Sequence, residues 1–97
     1  MENKLNRFTA CYALVMNVEY NHIRGFAPVE WKMLCIYVAH RTLGVSYHVL
    51  AAYYRVSKRS IEERMEDVSI QVLIDEELNV KLGNVRLYWE LVAGEAV

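Results

Sequence analysis

Arg55-Val56-Ser57-Lys58-Arg59-Ser60 is the run best equipped for chemistry in this chain, and that chemistry is recognition of an anion. Lys58 and Arg59 supply cationic donors able to reach guanine O6 and N7 from a helix lying in a major groove. Glu62 and Glu63 follow one turn later, placed to accept from cytosine N4 or to pair with those cations. Ser46 and Ser57 stand at expected helix N-termini, where free N–H groups and the helix dipole favour a phosphate. Arg24, Lys32, Arg41 and Arg55 are candidate phosphate clamps, although each is also an ordinary solvated charge when nothing is bound. Catalysis has no comparable footing. The chain offers no nucleophile–base pair, carboxylate dyad or phosphate-cradling glycine loop, so an enzyme is not expected. His22, His40, His48, Cys11 and Cys35 match no zinc spacing, so neither metal nor cofactor is expected.

Two short helices and a tight turn would have to position that edge. Leu50, Ala51 and Tyr54 form the apolar stripe of the first helix, which Ser46 caps. Val56 plugs the turn, and Ser57 caps a second helix whose inward face is Ile61, Met65, Val68 and Val72. Ser60 with Glu63 as a capping box is an alternative start less than one turn away. Ala51 is small because two steeply crossing helices leave little room between them. An apolar residue, a small one, an aromatic, Val-Ser and then a β-branched residue is the pattern of a helix-turn-helix, expected at about residues 46–70.

The rest of the chain is read as support for this unit. Leu5, Phe8, Tyr12 and Val15 recur at helical spacing between Lys4 and Met16, and Val18 to His22 adds a turn before Arg24-Gly25. A central helix begins near Pro28, with Trp31, Leu34, Cys35 and Val38 inward, Glu30, Lys32, His40 and Arg41 outward, and Gly44 ending it. Trp31 is expected in the core. Asp75 caps a C-terminal helix over about residues 75–92, with Leu78, Leu82, Val85, Trp89 and Val92 on one side. Apolar alternation around Gly83-Asn84 would also fit a hairpin, but a lone hairpin is marginal in water, so helix is expected. The sum is an all-α bundle of five to six helices in a single domain spanning residues 1–97.

Composition agrees with a folded protein. The 97 residues are 55% hydrophobic, which argues against disorder, yet no apolar run reaches the ~20 residues of a membrane span. The start, Met-Glu-Asn-Lys-Leu-Asn-Arg, lacks a signal peptide's apolar segment, so a cytoplasmic protein without a membrane partner is expected. Cys11 and Cys35 then read as small buried hydrophobes. The net charge of −1 conceals an asymmetry. Residues 20–60 carry six cations against Glu30 alone, a balance of +5; residues 61–97 carry three cations against nine carboxylates, a balance of −6. One basic and one acidic face suit a nucleic acid on the first, or charged protein partners on either.

From Pro28 to Val68 the chain resembles the C-terminal DNA-binding domain of the bacterial replication initiator DnaA. Ala27-Pro28 stands where that family has an Arg-Pro entry to a long helix, and Ala39-His40-Arg41-Thr42-Leu43-Gly44-Val45-Ser46 keeps its Ala-to-Ser spacing. Ser46-Tyr47-His48-Val49-Leu50-Ala51-Ala52-Tyr53-Tyr54 matches in kind the family's Ser-x-x-x-Ile-Gly-x-x-Phe. The resemblance implies an all-α, Trp-repressor-like fold with a helix-turn-helix inside it. It does not extend to the box-reading signature. Where the family carries Gly-Gly-Arg-Asp-His-Thr-Thr this chain has Arg55-Val56-Ser57-Lys58-Arg59-Ser60-Ile61, in which Ser60 alone is similar to a threonine. The family's arginine-rich loop is reduced to Arg24, so neither the box specificity nor the initiator role carries over.

The expectation is therefore a small transcription or replication regulator that binds double-stranded DNA. The alternative is an adaptor of the same architecture that binds a protein and not DNA. One small domain makes few DNA contacts, so a homodimer or a host complex through Leu87, Tyr88, Trp89 and Leu91 is expected to assist, unless that segment packs onto its own core.

Overall fold

A computed structural model describes residues 2–25 and 29–95. They form six helices and no strand: α1 (Glu2–Met16), α2 (Tyr20–Arg24), α3 (Val29–Leu43), α4 (Tyr47–Tyr54), α5 (Lys58–Ile74) and α6 (Glu76–Glu95). The all-α expectation holds, and Glu76–Glu95 is helix, not hairpin. Ala27 and Pro28, expected to open the central helix, lie outside the described residues.

The helix ends follow from local chemistry. Asn17 takes a left-handed φ of 58° after α1, a conformation asparagine tolerates better than most residues, and the Val18 N–H donates to the Ala13 carbonyl at 2.9 Å. Gly44 does the same after α3 at φ 69°, as expected of the residue beyond a C-terminus. Asp75 caps α6 by accepting the Leu78 N–H at 3.0 Å.

α3 is the hub, packing against every other helix, while α6 closes the bundle over α1, α3 and α5. Phe8 of α1 meets Trp89 of α6 edge-to-face, with ring centroids 5.6 Å apart. Tyr54 is fully buried, and its hydroxyl lies 2.8 Å from Thr9 Oγ1 and accepts from the Cys35 thiol at 3.3 Å. This satisfies a polar atom that would otherwise be costly in the core. Burial pushes the Cys35 thiol up to about 12, so it stays protonated and structural.

Two expectations for α3 are corrected. Trp31 is 46% exposed, standing beside His22 at a centroid distance of 6.0 Å, and Lys32 is only 5% exposed. Because α3 touches helices on several sides, its buried arc is wide and centres on Lys32, Cys35, Ile36 and Ala39, leaving Trp31 at the margin.

Gly83 lies inside α6, and a Cβ built there would meet nothing within 4 Å. Gly83→Ala is therefore expected to stabilise the monomer by about 0.5–1 kcal/mol, since glycine's backbone freedom is removed without a clash. A urea titration at low protein concentration would show the midpoint rising with an unchanged slope.

Candidate nucleic-acid interface

The connection between α4 and α5 is three residues long, and each has a distinct part. Arg55 adopts the left-handed conformation (φ 59°, ψ 48°), which lets its N–H and that of Val56 both return to the Ala51 carbonyl. Val56 is half-buried beneath the corner. Ser57 caps α5, its Oγ accepting the Ser60 N–H at 3.0 Å and donating to Ser60 Oγ at 2.8 Å. The alternative start at Ser60 is thus not taken, and Ser60 lies in the first turn. At the far end of α4, Ser46 accepts the Val49 N–H at 3.4 Å.

With that start fixed, helical periodicity decides which side chains face out. Ile61, Met65, Val68 and Val72 are buried, so Lys58, Arg59, Glu62 and Glu63 are exposed. The cations are tied to the carboxylates one turn on: Lys58 to Glu62 at 3.6 Å and Arg59 to Glu63 at 2.8 Å. Such exposed pairs are worth little in water, so a phosphate or a base edge can displace them. Arg64 reaches Glu30 at 3.2 Å and ties α5 to α3.

A second group of predicted residues gathers at the corner itself. The Lys32 ammonium donates to the carbonyls of Tyr54 (2.9 Å), Gly25 (3.3 Å) and Arg24 (3.4 Å), joining the C-terminal ends of α4 and α2. Burial, and secondarily the nearby Arg55 guanidinium, lowers its pKa. Lys32 is therefore a buried clasp, not the phosphate clamp expected from sequence. Arg24 lies with its guanidinium carbon 4.2 Å from the centroid of the Tyr53 ring, a cation–π contact. Arg24, Lys32 and Arg55 thus converge where α2 and α4 end.

Other predicted residues are elsewhere. Ser46 lies at the opposite end of α4. Arg41 lies over Tyr37 near the end of α3 and lines a shallow cleft of about 160 Å³ with Arg86, Asn79 and Gly83. Sequence reasoning missed the cluster behind the corner, where the Tyr20 and Tyr53 hydroxyls both donate to Asn6 Oδ1. Tyr20 sits just after the interrupted apolar run and Asn6 within the first helix, and no spacing rule links them.

Among the described residues, no group of three His, Cys, Asp or Glu side chains is placed to hold a metal. No described helix is long and apolar enough to cross a membrane. The chain matches no protein-family model, no curated protein and no solved structure.

Proposed function

We propose that this chain binds double-stranded DNA through a helix-turn-helix formed by α4 and α5, as a small cytoplasmic regulator of transcription or replication. The observation that carries this reading is Arg55. A non-glycine residue in the left-handed conformation costs roughly 1–3 kcal/mol, and glycine would make the same corner without that cost. Placing arginine there puts a long cation at the entrance to α5, next to the exposed Lys58-Arg59 edge. Phosphates would be met by Arg55, Arg24 and the Ser57 end of α5. Bases would be met by Lys58, Arg59 and Ser60, with Glu62 and Glu63 selecting against poorly fitting sequences.

The test is fluorescence anisotropy with labelled random duplex over a range of salt concentrations. Affinity should fall as salt rises, and Lys58→Ala plus Arg59→Ala should weaken binding on the order of tenfold to a hundredfold. Removing phosphate contacts instead, with Arg24→Ala plus Arg55→Ala, should flatten the salt slope by about 2, close to one counterion per lost contact, while the Lys58/Arg59 variant leaves it nearly unchanged. Binding to a basic protein, with no duplex binding by either form, would sink this reading in favour of the adaptor.

A further inference from the structure

α6 is apolar on two sides, and only one is used. Leu82, Val85 and Trp89 are buried in the bundle, whereas Val80, Leu87 and Leu91 are 57%, 62% and 67% exposed. With the exposed Asn84, these outer residues recur at steps of four, three and four, which is the seam of a two-stranded coiled coil. We propose that the outer face of α6 pairs in parallel with α6 of a second copy of this chain, placing the two Asn84 side chains opposite each other.

The asparagine identifies the occupant. In heptad terms Val80 and Leu87 are d positions, and Asn84 and Leu91 are a positions. A parallel two-fold pair sets each a position against its own copy, so one Asn84 amide donates to the other's carbonyl. An antiparallel pair sets a against d, which would bury Asn84 against leucine or valine without a partner. An unrelated apolar helix would bury it in the same way.

The flanking positions fit the same register. A g position meets the partner's e position five residues further along, which brings Glu76 to the partner's Lys81 and Gly83 to the partner's Tyr88. The first is a pair of opposite charges. The second matches an exposed aromatic ring with a helical glycine at which a Cβ would meet nothing within 4 Å. Nothing inside the monomer fills that space, so a close neighbour gives this mid-helix glycine a purpose.

Sedimentation velocity on the whole chain, from about 1 to 100 µM, reads the proposal directly. Wild type should move from monomer to dimer in that range. Leu87→Glu should remain monomeric with an unchanged helical spectrum, and Leu91→Lys serves if that variant folds poorly. Asn84→Val should tighten association on the order of tenfold or raise its order, because the polar layer trades stability for a defined pair. Gly83→Leu should weaken it. Val80→Cys should cross-link to itself under mild oxidation, which an antiparallel pair would not allow. Wild type monomeric throughout, indifference to Leu87→Glu, or a dimer in which Val80→Cys fails to link would each overturn the proposal.

Discussion

Lys32→Met is expected to destabilise the fold by about 2–4 kcal/mol, because three main-chain carbonyls lose a shared charged donor at once. Methionine is close in length to the buried lysine stem, so the cost reports the lost hydrogen bonds rather than a void. The carbonyls of Arg24, Gly25 and Tyr54 belong to the ends of α2 and α4, where helices leave acceptors unpaired. The variant should loosen the corner before it loosens the distant α1–α6 packing. Amide exchange would therefore rise first around residues 50–57. Proton linkage gives a second signature. Burial holds the folded Lys32 pKa below its unfolded value, so the penalty for the buried charge is present in full at neutral pH. It is relieved as pH climbs through the folded pKa towards the unfolded one, and over that window the folded state gains stability. The stability gap between wild type and Lys32→Met should accordingly be wider at a pH just below the ordinary lysine range than at pH 7. Tyrosine ionisation is common to both proteins and cancels in the difference. A variant as stable as wild type at both pH values would show that the clasp contributes nothing.

What was legible from sequence is what local chemistry decides. Ser46 and Ser57 accept N–H groups three residues ahead, and Gly44 takes a conformation that suits it, so these boundaries needed no tertiary information. Once Ser57 and the Ile61–Met65–Val68 stripe were set, the outward direction of Lys58 and Arg59 followed from 100° per residue. α3 was different. Tryptophan drew the apolar stripe toward Trp31, although Met33 and Ile36 mark a second stripe that runs across Lys32. How wide an arc a helix buries depends on how many neighbours it has, and that is set by the whole bundle. The convergence of Arg24 with Tyr53, and of Lys32 with Tyr54, has the same origin, since these residues meet across 22 or more positions of chain.

Ala51→Leu is expected to cost about 1–3 kcal/mol, whereas Ala52→Leu next to it should change stability by no more than about 0.5 kcal/mol. The two positions share a helix and a propensity, and differ in burial: Ala51 is enclosed and Ala52 exposed. Ala51 also accepts the N–H groups of Arg55 and Val56, so its main chain cannot retreat to make space without opening the corner. The added side chain must then displace α4 from the helices it packs against, α2, α3 and α5, and so shift the corner relative to Lys58 and Arg59. On the DNA reading, duplex affinity at fixed salt would then fall by more than the stability loss accounts for at temperatures where the variant is fully folded. Ala51→Gly discriminates between crowding and mere sensitivity of the site. It removes a methyl group and adds glycine's backbone freedom, for a cost of about 1–2 kcal/mol, yet leaves the approach of α5 to α4 unobstructed. A folded Ala51→Gly that binds duplex like wild type, beside an Ala51→Leu that does not, would assign the interface to the relative placement of these two helices. Equal affinity in all three proteins would detach DNA recognition from this corner altogether.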